Sequence, residues 1–258
     1  MKTLKVIKIG GKLIDDSVAM ESFMQDFKAI KEAKILIHGG GNLASSMARD
    51  LNIPVKQIDG RRITDDATLD IITMAYAGKI NKNLVAQLQA LGCNALGLTG
   101  ADGNSIKSKI RDKNPIDFGH VGDPENVNTD FIQLLLDNGI TPVFCAITHD
   151  GIGQLLNTNA DTVAADVCSA FAKAYSTQLY YCFEKQGVLR DVNDSDSLVK
   201  SIDKNEYEKL KSEKVIADGM LPKMQNSIRA LDNGVSSVHI GLASMISNSD
   251  DHHTTLTL

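Results

Sequence analysis

The chain has 258 residues, 43% of them hydrophobic, and a formal net charge of −5 from 27 basic and 32 acidic side chains. A chain of this length buries roughly 70–75% of its unfolded surface, enough for one large domain or two lobes without disulfide or metal staples. The acidic balance gives no general attraction to phosphate backbones or anionic lipid, so nucleic acid and membranes are not expected partners, and any anion site must be built locally.

Leu4 to Ile9 is a short β-branched run that ends at Gly10-Gly11, and Met20 to Ile30 then carries apolar residues at helical spacing. The pattern repeats: Lys34 to His38 reads as a strand entering Gly39-Gly40-Gly41, and Leu43, Met47 and Leu51 mark a helix face that Pro54 stops. Asp66 to Leu91 reads as two helices broken near Gly78, and Ala95 to Thr99 as a strand. Gly100 to Asn128, with the alternating run Ser105 to Ile110, reads as hairpin and loop excursions. Phe131 to Leu136 is a predicted helix, Thr141 to Ile147 a buried strand, Ala160 to Ala174 a helix and Gln178 to Phe183 a strand. Helices over Asn205 to Leu210 and Met220 to Leu231 precede a strand at Ser237 to Ile240, and a mobile tail is expected from Asn248. Alternating strands and helices with right-handed crossovers predict an α/β fold with a mostly parallel sheet covered on both faces. Ligands of such sheets sit beyond the carboxyl ends of the strands, where the glycine turns fall.

Glycine in those turns lets backbone amides approach an anion, although tight turns alone explain a GG or GGG equally well. Neither turn matches GxxxxGK[ST] or GxGxxG, which weakens P-loop and dinucleotide readings and with them a nicotinamide oxidoreductase. Lys8 interrupts an apolar strand just before the first turn and aims a cation at the ligand end; a snorkelling edge lysine is the plainer alternative. Asn157, Asn159 and Asp161 cluster at a helix start, and an N-cap accounts for one of the three. Arg62 could grip a carboxylate with a bidentate fork, and Lys223 near a helix start could join in binding phosphate; each alone is unremarkable.

Cys93, Cys145, Cys168 and Cys182 are scattered in apolar runs without a CxxC pair and read as reduced core thiols. The six histidines show no metal-site spacing, so no metal centre is expected, and a disordered polar tail explains His252-His253 better than a weak metal site. No signal-like apolar segment is present and no window nears the ~18–20 apolar residues of a membrane span, so the expected location is cytoplasmic.

Taken as an ordered set, Lys8-Ile9-Gly10-Gly11, His38-Gly39-Gly40-Gly41, Gly60-Arg61-Arg62, Asn157-Thr158-Asn159-Ala160-Asp161 and Ala217-Asp218-Gly219-Met220 with Lys223 resemble the amino acid kinase family along nearly the whole chain. Within it they resemble the branch that phosphorylates N-acetyl-L-glutamate. The resemblance implies a three-layer αβα sandwich, with residues 1–175 binding the acyl amino acid and dimerising, and residues 176–258 binding ATP, in one continuous fold. It implies transfer of the γ-phosphoryl of ATP, carried with Mg²⁺, to the γ-carboxylate of N-acetyl-L-glutamate in arginine biosynthesis. In the implied site Gly40 and Gly41 bind substrate through backbone amides, Arg62 clamps its α-carboxylate and Asn157 binds it further. Lys8 and Lys223 hold the transferring phosphoryl, Asp161 orients both, and Gly10, Gly11, Gly187 and Met220 line the nucleotide.

Where the family has a Thr-Asp or Ser-Asp pair before Val-x-Gly, this chain has Phe183-Glu184-Lys185-Gln186-Gly187-Val188. The first strand starts near Leu4, which leaves no room for the N-terminal helix of hexameric, arginine-inhibited relatives, so a homodimer without arginine feedback is expected. Competing readings are N-succinylglutamate as acceptor, a sister kinase acting on glutamate, aspartate, carbamate or UMP, and a catalytically silent regulator that kept the fold.

Overall fold

A computed structural model describes residues 1–58, 61–216, 220–247 and 252–258. The chain begins with β1 (Thr3–Ile9), a short α1 (Gly11–Asp15), α2 (Ser17–Ala29), β2 (Ala33–His38) and α3 (Gly41–Asp50). Asp16 starts α2 before the apolar pattern becomes visible, its carboxylate accepting from the amides of Val18 and Ala19. Buried Lys34 closes that helix by donating to the carbonyls of Phe27, Lys28 and Ile30 at 2.7, 3.1 and 2.9 Å, a cation at the negative end of the dipole.

Next come β3 (Gln57–Ile58), β4 (Arg61–Arg62), α4 (Asp66–Thr73), α5 (Asn81–Ala90) and β5 (Ala95–Leu98). Instead of a break near Gly78, a π-helical segment, Met74–Ile80, joins α4 to α5. Tertiary packing explains it, because Tyr76 and Ile80 from that segment lie directly against Gly40. The chain continues through β6 (Ile106–Ile110), β7 (Gly122–Val127), α6 (Thr129–Asp137), β8 (Thr141–Cys145), β9 (Ile147–His149), β10 (Leu155–Asn157) and α7 (Ala160–Ala170). It ends with β11 (Ser176–Cys182), β12 (Ser201–Ile202), α8 (Lys204–Ser212), α9 (Met220–Asp232), β13 (Ser237–Gly241) and β14 (Thr254–Leu256).

The molecule divides into two compact units, residues 1–34 with 164–258, and residues 35–163. In the first, strands run in the order β12-β14-β13-β11-β1, parallel except between β13 and β14. Leu4, Val6, Ile9, Leu179, Val238 and Ile240 are fully buried there, the near-continuous apolar runs that a parallel sheet covered on both faces requires. The tail expected to be mobile instead supplies β14, inside this sheet, while residues 248–251 lie outside the described ones.

In the unit of residues 35–163, β2, β8 and β5 form a parallel set around Ile35, Leu36, Ile37, Val143 and Phe144, all fully buried. A second sheet, β10-β9-β6-β7, gathers the segment expected to be loop excursions. The single strand expected over Thr141 to Ile147 is two: it leaves the first sheet at Cys145 and joins the second at Ile147, and a uniform apolar run carries no mark of that change. Among the described residues no helix is long and apolar enough to cross a membrane.

Candidate active site

In the unit of residues 35–163, β2 ends at His38 and the chain turns through three glycines into α3. His38 is fully buried and desolvation pushes its pKa down to about 4, so the ring is neutral. Its Nε2 accepts from Asn81 Nδ2 at 3.0 Å, which leaves the proton on Nδ1, and Nδ1 donates to Gly39 O at 2.8 Å. Asn81 is itself oriented by donating to Val143 O and accepting from Lys82 Nζ. The glycine turn therefore rests on a satisfied polar network. A Cβ at Gly40 would collide with Ile80 Cδ1 and stand 2.9 Å from Tyr76 Cδ1, so any larger residue would have to push those side chains aside. At Gly39 an added Cβ would stand 3.7 Å from Ala160 Cβ, which places the start of α7 against the same turn.

Arg62 is buried, and its Nη2 donates to Gly41 O at 3.2 Å and Ser45 Oγ at 2.7 Å. Its Nε and Nη1 have no hydrogen-bond partner among the described residues. The guanidinium is thus fixed beside the first amides of α3 with two donors in reserve, next to helix N–H groups that lack intrahelical acceptors. Buried Thr64 donates from Oγ1 to Arg62 O at 3.2 Å and accepts from Asn157 Nδ2 at 3.0 Å, which ties Asn157, at the end of β10, to the arginine. Asn159 is the cap of α7, its side chain accepting from the amides of Asp161 and Thr162, so Asp161 stands in the first turn of that helix.

In the other unit, Lys8 stands near the carboxyl end of β1, opposite Tyr181 in the parallel pairing with β11. Lys223, buried on α9, holds its Nζ 4.4 Å from the Tyr181 ring centroid and 5.9 Å from that of Phe183. Burial pushes the Cys182 thiol up to about 12 against the pull of both lysines, which places the two ammonium groups in one electrostatic neighbourhood. Lys8 Nζ lies 3.7 Å from where a Cβ at Gly10 would stand, and Gly11 opens α1. Glu184, in the segment that departs from the family pattern, pairs with Lys12 at 2.7 Å. Gly187 is backed by β14: an added Cβ would collide with Thr254 Oγ1 and stand 2.8 Å from Leu198 Cδ1. Met220 opens α9, and residues 217–219 of the predicted Ala-Asp-Gly-Met motif lie outside the described ones, as does Gly60. Among the described residues no three His, Cys, Asp or Glu side chains form a metal-sized group.

Within each unit the structure therefore gathers the sequence-predicted residues: Gly40, Gly41, Arg62 and Asn157 in one, Lys8, Gly10 and Lys223 in the other. Sequence reasoning missed Ser45, Thr64 and Tyr76 around Arg62, and Tyr181 beneath Lys223. Tyr76 carried a signal, an aromatic residue set between the small residues Ala75, Ala77 and Gly78.

Residues 3–241 match the model of the amino acid kinase family. An acetylglutamate kinase of Cytophaga hutchinsonii is 52% identical over 93% of this chain and 91% of its own length. An acetylglutamate kinase of Phocaeicola vulgatus is 49% identical over 94% of this chain and 95% of its own. Among solved structures, smu.665 from Streptococcus mutans UA159 superposes with a TM-score of 0.82 at 26% identity, covering 98% of each chain.

Proposed function

The chain belongs to the amino acid kinase family, and we infer that it catalyses the acetylglutamate kinase reaction, moving the γ-phosphoryl of ATP onto the γ-carboxylate of N-acetyl-L-glutamate in arginine biosynthesis. Its α/β fold is that of the family, as the sequence predicts. The observation that carries the acceptor half of this reading is the buried Arg62, held at Gly41 O with Nε and Nη1 available for a carboxylate.

In this reading Gly40 and Gly41 present amides to the acyl glutamate, Arg62 grips its α-carboxylate and Asn157 adds a further polar contact. Lys8 and Lys223 hold the transferring phosphoryl, Asp161 orients them, and Gly10, Gly11, Gly187 and Met220 border the nucleotide. A carboxylate is already a nucleophile, so the reaction needs no general base; its difficulty is bringing two anions together in line. Two lysine cations and helix-start amides offset that repulsion where the charge develops. Lys8 at the end of β1 and Lys223 on α9 repel a bare divalent cation and suit phosphate oxygens, which fits Mg²⁺ arriving on the nucleotide's own phosphates and spreading their charge. We place the enzyme in the cytoplasm as a homodimer, which sedimentation of the pure protein tests.

The test of the reaction is an ATP-dependent hydroxamate assay, which traps acyl phosphates, run with N-acetylglutamate, N-succinylglutamate, glutamate and aspartate in parallel. Signal with N-acetylglutamate is the expected result. Signal with free glutamate or aspartate alone, or with none of the four, would overturn it.

A further inference from the structure

We infer that Tyr76 is a further substrate-binding residue, whose phenol donates a hydrogen bond to the acceptor's carboxylate at the Gly41 and Arg62 end of the site; this rests on the acyl-glutamate reading above. The side chain is 7% exposed, and its hydroxyl has no hydrogen-bond partner among the described residues. The body of the side chain is buried while the hydroxyl is not one of the buried polar atoms left without a partner, so it keeps access to solvent and can exchange water for a ligand oxygen. The direction of the hydroxyl is fixed by its neighbours. The Cδ1–Cε1 side of the ring lies against Gly40, where an added Cβ would stand 2.9 and 3.0 Å from those carbons. Beyond the ring, Oη is the one atom within 4 Å of where a Cβ at Gly41 would stand, at 3.8 Å, among the described residues. The hydroxyl therefore borders the first residue of α3.

Arg62 reaches the same residue: it donates to Gly41 O, and its charge acts on the Tyr76 phenol. Burial raises the phenol pKa, so the group stays protonated and is a donor at neutral pH. Its backbone setting is also special, since it sits in the π-helical segment Met74–Ile80, which displaces the side chains of that turn from where a regular helix would carry them. One guanidinium edge, one helix-start amide and one neutral phenol converging from three elements make a complete donor set for a carboxylate.

The experiment compares wild type with Tyr76→Phe, which keeps the ring against Gly40 and removes only the hydroxyl. Loss of a hydrogen bond to a charged group predicts a KM for N-acetylglutamate raised about 10–100-fold, with KM for ATP and the unfolding midpoint unchanged. The chain contains no tryptophan, so tyrosine absorbance is readable: N-acetylglutamate should shift it in the wild type, and Tyr76→Phe should lose that shift. A Phe variant with the wild-type KM, or a wild-type spectrum that ligand leaves unchanged, overturns the inference. Wild-type activity with N-acetylglutamate sustains the underlying reading in either case, whereas an inactive wild type overturns both.

Discussion

Lys8 stands near the carboxyl end of a buried strand and shares with Lys223 the neighbourhood of the buried Cys182 thiol, on which both charges act. In the proposed reaction both cations stabilise the charge on the phosphoryl oxygens. Lys8→Ala should therefore lose about 10²–10³-fold in kcat, by analogy with removal of one oxyanion donor, while the half-exposed position keeps the fold intact. Steady-state kinetics check this, and wild-type turnover would remove Lys8 from the site. Arg62 calls for a different variant. Arg62→Lys keeps the charge but cannot hold Gly41 O and Ser45 Oγ while presenting two further donors, so KM for N-acetylglutamate should rise at least tenfold with kcat changed less. These positions were legible in the sequence because each violates its local pattern, a cation in an apolar strand or an arginine pair after a glycine. Tyr76, Thr64 and Ser45 were not, because an aromatic or hydroxyl residue on an amphipathic helix or short strand is ordinary until the fold shows what it faces.

Strands and helices with a strong apolar period were legible as elements: β1, β2, α3, β11 and β13 fall where the pattern puts them. The failures share one cause, long-range pairing that leaves no local mark. β14 is three residues of Thr-Thr-Leu after a polar stretch, and it becomes a strand only because β12 and β13 offer it edges on both sides. Likewise the first 34 residues group with residues 164–258 because β1 pairs with β11, a partner more than 160 residues away in the chain. Gly187 tests the strength of that late strand. Thr254 Oγ1 accepts from the Val188 amide at 2.8 Å and donates to Val199 O at 2.7 Å, so the strand is stitched to the loop at the point where an added methyl group would collide. Gly187→Ala should destabilise the protein by about 1–3 kcal/mol through overpacking, seen as a lower urea midpoint. An unchanged midpoint with a raised KM for ATP would instead mean that the glycine serves only the nucleotide.

Folding of the whole chain withdraws two imidazoles from water, and this sets how its stability depends on pH. His38 is fully buried in the glycine-turn network, and His239 is stacked on Tyr180 at 4.5 Å with His253 Nε2 3.0 Å from its Nδ1. Desolvation lowers both pKa values to about 4, and for His239 the charges of His253 and Lys5 push the same way. The unfolded chain holds these groups near their ordinary value of about 6.5, so between roughly pH 4 and 6.5 it binds more protons than the folded one. Stability from this source is therefore complete above about pH 6.5 and declines as pH falls toward 4; for His38 alone the loss reaches about 3 kcal/mol. The carboxylates held low, Glu32 and Asp65 among them, add their loss only further down, as pH falls below their ordinary range. Urea unfolding measured in steps from pH 7.5 to 4.5 should show a flat upper range and then a slope approaching two protons near pH 5. His239→Gln should remove close to one of those protons and leave the other, since His38 would still be shielded by Asn81 and Gly39. A stability that does not change between pH 6.5 and 5 would mean that both imidazoles take up protons in the folded protein, and so that neither is as dry as its surroundings indicate.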